Sequence, residues 1–202
     1  SIPAGDRGSG EVFAGTAAAT TSKEAYRYYL EGLDYQRQFL HIQAREAYRK
    51  AVEADSTFAL AWYGLAEYLT EDEGRKEAIS NAIKYMDKVS PLEQKYILAR
   101  QAGFTDNRDS AIAVYRSIIA EHPDEKWAYY QLGNIYYSNH ETEKAIQLHL
   151  KAVQIDPLFK DAYNQLAYEY NRIGNFEKSL WAINRYIDLV PNEPNPYDSR
   201  GE

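Results

Sequence analysis

The chain has 202 residues, 26% of them charged and 45% hydrophobic, with a net charge of −7 and no cysteine. That balance belongs to a folded chain rather than a disordered one, and the acidic excess, with no basic run, argues against a nucleic-acid partner, whose phosphates are held largely by lysine and arginine. Absence of cysteine excludes a disulfide framework and a thiolate metal site, and no apolar stretch approaches the roughly 20 residues of a membrane-spanning helix.

Residues 1–22 are rich in glycine, alanine, serine and threonine and read as an N-terminal segment or linker. Gly5, Gly8 and Gly10 follow no strand and precede no Gly-Lys-Ser/Thr, so they form no phosphate loop. The segment is expected to be held by contacts, against its own chain or a neighbouring copy. Thr21-Ser22-Lys23-Glu24 then has the form of a capped helix start.

From there a pattern of large and small apolar residues recurs. A first unit holds Tyr28, Gly32, Tyr35, Ala44, Tyr48 and Ala51, and a second holds Trp62, Leu65, Ala66, Leu69, Ala78, Ala82 and Tyr85. Ser90-Pro91-Leu92-Glu93 supplies a hydroxyl cap, a proline at the first helical position and a glutamate placed to close a capping box, so a helix should begin there. A third unit carries Leu98, Ala99, Ala111, Tyr115, Ile118 and Pro123, although Lys95 and Ala102 replace its large residues. Trp127, Tyr129, Leu132, Gly133, Tyr136, Ala145, Ala152 and Pro157 make the fourth; Tyr163, Leu166, Ala167, Tyr170, Ser179, Tyr186 and Pro191 make the fifth.

Pro123, Pro157 and Pro191 are each 34 residues apart. Apolar residues three or four apart on both sides of Ser138-Asn139-His140 and of Gly174-Asn175 predict helix, turn, helix in every unit. Gly133 and Ala167 should stand where paired helices cross. A unit of this size cannot bury its apolar face alone and must stack on its neighbours. Asn195 to Glu202 repeats the opening of a unit, with Tyr197 and Gly201 spaced like Tyr129 and Gly133.

The pattern resembles the tetratricopeptide repeat, in which a large residue, Leu-Gly or Leu-Ala, and Tyr are followed by small residues and a closing proline. The resemblance implies an all-α, right-handed superhelical α-solenoid of about five helix-turn-helix units at 23–193, with a truncated start of a sixth at 194–202. It also implies that the first helix of each pair lines the concave face. One position of that helix holds Tyr29, Tyr63, Tyr96, Tyr130 and Asn164. Four residues on lie Leu33, Glu67, Arg100, Asn134 and Tyr168, three before lie Tyr26, Leu60, Glu93, Trp127 and Asp161, and Gln36, Thr70, Tyr137 and Asn171 extend the stripe.

Two readings of this stripe stand side by side. It forms an aromatic ladder with amides that holds an extended peptide, or its tyrosines pack between successive first helices and set the pitch. Related domains that grip chaperone tails clamp a C-terminal carboxylate with lysine and asparagine; the lysine-equivalent positions here are tyrosines, so that clamp is not expected. Arg100 is then the main cation on the stripe.

His41, His122, His140 and His149 lack ligand spacing, and His149 takes a packing position filled by Tyr115 and Ile183 in adjacent units. Glu71-Asp72-Glu73 reads as a solvated turn. No catalytic constellation, cofactor or metal site is expected. Thr21 to Tyr26, Tyr29 to Gly32, Ser56 to Ala61 and Asn195 to Ser199 resemble repeat regions of bacterial signalling and transcription-regulating proteins. The expected role is a protein-interaction module or scaffold with a protein or peptide partner, in the cytoplasm with the periplasm left open. The alternatives are a small-ligand or glycan sensor and homo-oligomerisation through the repeat ends or the N-terminal segment.

Overall fold

The computed structural model describes residues 19–38, 40–105 and 107–190. The expected start of a sixth unit and residues 1–18 lie outside them. Ten α-helices follow in order among the described residues: α1 (Lys23–Arg37), α2 (His41–Ala54), α3 (Ala59–Tyr68), α4 (Asp72–Lys84), α5 (Pro91–Phe104), α6 (Arg108–Glu121), α7 (Lys126–Ser138), α8 (Thr142–Ile155), α9 (Lys160–Arg172) and α10 (Phe176–Leu189). These match the five helix pairs expected from the sequence, and no strand occurs among the described residues. Two compact units result, one ending at Val114 and the other beginning at Tyr115, so the boundary falls inside α6.

The helix starts follow from their capping residues. Ser22 accepts a hydrogen bond from the Ala25 amide at the head of α1. At α5 the Ser90 hydroxyl accepts from the Glu93 amide while the Glu93 carboxylate accepts from the Ser90 amide at 2.7 Å, the reciprocal box anticipated from the sequence. Asn175 caps α10 by accepting from the Lys178 amide. The turns inside the fourth and fifth pairs use the left-handed region at His140 (φ 62°) and Gly174 (φ 74°), one repeat length apart. Glu71 is the residue before α4 and Asp72 and Glu73 form its first turn, where acidic side chains complement the helix dipole.

In the first unit, α1 packs on α2, α2 on α3, α3 on α4 and α4 on α5. The core runs through Tyr29, Tyr48, Phe58, Leu60, Leu65 and Ile97. Gly32 and Gly64 both face the Tyr48 ring, and a Cβ on either would lie 2.7 Å from its Cε1. Glycine is required there by close approach. At the N-terminal edge Ala19 is buried and the Thr20 hydroxyl donates to the Asp55 carboxylate, so the end of the N-terminal segment is tied to the turn after α2.

In the second unit, α7 packs on α8, α8 on α9 and α9 on α10. Phe159, Ala162, Tyr163, Leu166, Tyr170, Ala182 and Tyr186 form a buried cluster, with Trp127, Tyr129 and Tyr130 against it. Gly133 faces His149 and Ala167 accepts a hydrogen bond at its carbonyl from Ser179 at 2.8 Å, which places both small residues at helix crossings as the sequence predicts.

In the third repeat Ala99, Ala111, Tyr115 and Ile118 are buried as expected, but Leu98 is not. Ile97 is wholly buried whereas Leu98, read as the core leucine, is 37% exposed. The capping box fixes Glu93 inside, and residues three and four further along a helix share its face. Tyr96 and Ile97 are those residues, so they enter the core and Leu98 turns outward.

Candidate interaction face

The first-helix stripe divides into enclosed and open members. Tyr29 is 1% and Tyr96 2% exposed. Tyr29 packs on Phe58, the residue preceding α3, with ring centroids 4.9 Å apart, and on Tyr48 at 5.9 Å. Burial raises its phenol well above the ordinary tyrosine range. In the second unit the same arrangement recurs: Tyr130 packs on Phe159, the residue preceding α9, at 5.3 Å, and Trp127 meets Phe159 edge-on at 4.6 Å. Burial pushes the Tyr130 phenol up to about 12, against hydrogen bonds from Asn134 and Gln165. Tyrosines at this position therefore join one first helix to the start of the next.

Tyr63 is buried beneath Arg100, whose guanidinium lies 4.4 Å from the ring centroid and donates to the phenol oxygen at 3.0 Å. Arg100 is also ion-paired with Glu67. The cation of the stripe is thus engaged by two members of the stripe itself, and an acidic ligand would have to displace Glu67.

The exposed ring and amide of the stripe lie in the second unit, whereas its exposed members in the first are Glu67 and Thr70. Tyr168 is 43% exposed and Asn171 is exposed. Asn134, Tyr137 and Asn164 are half-buried. The Arg172 guanidinium stacks 4.1 Å from the Tyr137 ring centroid and donates to its carbonyl at 3.1 Å, fixing the end of α7 against α9. Lys126 pairs with Asp156 at the foot of the same face. Rings and amides of the stripe are thus carried by both α7 and α9, which the Arg172–Tyr137 contact joins.

His149 occupies the packing position assigned to it and is fully buried. Sequence reasoning missed its partner. Glu169 is also fully buried and lies 2.7 Å from His149 Nδ1. The available signal was spacing: Glu169 stands three residues after Leu166 and so shares its inward face. Among the described residues no cluster of three or more histidine, cysteine, aspartate or glutamate side chains could hold a metal ion, and no helix is long and apolar enough to cross a membrane.

Comparison with known proteins agrees with this architecture. The tetratricopeptide-repeat family model matches residues 127–159, the α7–α8 pair and the turn after it. Protein O-mannosyl-transferase TMTC3 of Homo sapiens is 26% identical over 156 residues, 75% of this chain, and the chain spans only 17% of that protein's length. YrrB, described as a TPR protein with an unusual peptide-binding site, superposes with a TM-score of 0.52 at 18% identity, covering 92% of this chain and 100% of that one. The APC/C hetero-tetramer Cut9-Hcn1 gives a TM-score of 0.60 at 18% identity, over 87% of this chain and 35% of that one. The chain carries a tetratricopeptide repeat, and its all-α helical-repeat fold is that of tetratricopeptide arrays.

Proposed function

We infer that the chain is a protein-interaction module whose first-helix face binds an extended peptide segment of a partner protein. The observation that carries this reading is the pair of first helices α7 and α9, on which Asn134, Tyr137, Asn164, Tyr168 and Asn171 reach solvent near the packed rings of Trp127, Tyr130 and Phe159. Exposed rings cover apolar side chains at little entropic cost, and amides can both donate to and accept from a peptide backbone. In this reading the array serves a larger signalling or regulatory protein, a role supported by the resemblance of Thr21 to Tyr26 and Tyr29 to Gly32 to repeat regions of that kind.

The test is selection of binders from a displayed library of extended peptides, followed by titration against alanine variants. Tyr168→Ala and Asn171→Ala should each weaken a selected peptide by about fivefold to thirtyfold, the range of 1–2 kcal/mol, with the thermal midpoint unchanged. A library that yields no binder, or binders indifferent to both substitutions, contradicts the assignment.

A further inference from the structure

The second unit contains a polar group that partner binding does not use. His149 and Glu169 are both wholly enclosed, at the junction of α7, α8 and α9. His149 Nε2 lies 3.1 Å from the Tyr130 carbonyl, which can only accept, so Nε2 carries a hydrogen and donates. A 2.7 Å contact between Nδ1 and Glu169 Oε1 also requires a hydrogen between them. The other carboxyl oxygen, Oε2, is buried and has no hydrogen-bond partner among the described residues. An ionised carboxylate would leave half its charge unsolvated there, whereas a neutral acid donates through Oε1 and leaves only a carbonyl oxygen bare.

We propose that the Glu169 carboxyl, held neutral and donating to His149 Nδ1, is a proton-dependent latch that fastens α9 to the α7–α8 pair and releases it as the pH rises. When this proton leaves, two acceptors face one another in a site closed to bulk solvent, and no side chain donates to the other carboxylate oxygen. His149 cannot turn to relieve the contact, because its other nitrogen is bonded to α7 and its ring fills the space left by Gly133.

Other charges around the latch are few. From α7 comes the Tyr130 phenol, which stays neutral below about 12. From α9 come Tyr170, whose phenol burial raises, and Arg172, which draws the Glu169 carboxyl downward; from α10, Lys178 stands 5.4 Å over the Tyr170 ring. Burial outweighs Arg172 and His149 and holds the Glu169 carboxyl above its ordinary range. A carboxyl raised on folding contributes its full stabilisation below the unfolded value, about 4.3, and loses it as the pH climbs through the folded value.

The experiment is amide hydrogen exchange on the full chain at about pH 5 and about pH 8, corrected for intrinsic exchange, with α2 of the first unit as internal reference. Protection of α8 and α9 should fall about tenfold or more from the lower to the higher pH, while α2 changes less. Glu169→Gln keeps a donor for Nδ1 and cannot ionise, so it should remove the difference and melt above the wild type at about pH 8. Equal protection of wild-type α9 at both pH values, or a Glu169→Gln variant that retains the pH dependence, would overturn the latch. Should that variant not fold, the wild-type comparison decides alone.

Discussion

A side chain at position 133 would have nowhere to go. A Cβ there would lie 2.5 Å from His149 Nε2, and that ring is fixed by hydrogen bonds at both nitrogens. Gly133→Ala is therefore expected to cost about 1–3 kcal/mol, the usual penalty of overpacking, measured as a lower urea midpoint with an unchanged slope. Tyr96 makes the opposite case: 2% exposed, it fills core, and Tyr96→Ala should remove about 3 kcal/mol or more through the cavity it leaves. A Tyr96→Ala protein as stable as the wild type would mean that the ring is dispensable to packing. The sequence made the repeated tyrosine conspicuous but left its direction open. A ring with one polar tip suits a groove and a helix junction equally, and only the neighbouring Phe58 and Phe159 decide between them.

Elements were legible where local chemistry alone sets them. The Ser90 capping box could be read directly because all of its parts lie within four residues, and Ser90→Ala should cost about 1 kcal/mol, detectable as a lower thermal midpoint that Ser90→Thr largely restores. The turns at His140 and Gly174 were likewise visible, being repeats of one another. What could not be read was rotation about a helix axis. The face that α5 buries is fixed by Glu93 and by its contact with α4, and the Leu-Ala of the repeat pattern selected Leu98 where the adjacent, equally large Ile97 takes the core. Glu169 escaped for a related reason: a charged residue on an inward face looks like a solvated one until its partner, 20 residues away, is placed beside it.

At the level of the whole molecule, the 34-residue period announced the architecture because stacking is the only way a hairpin of this size buries its apolar face. The interaction surface was less legible, since partner choice depends on which members of a repeated stripe remain open after stacking. In the first unit Tyr29, Tyr63 and Tyr96 are enclosed; in the second, Tyr168 and Asn171 are not. The position four residues further along is closed at Leu33 in the first unit and open at Tyr168 in the second. The most direct test is amide chemical-shift mapping on the 15N-labelled full chain during titration with a selected extended peptide. Shifts confined to α7 and α9, centred on Asn134, Tyr137, Tyr168 and Asn171, are the expected result. Shifts centred on the second helices α8 and α10, with α7 and α9 silent, would contradict it.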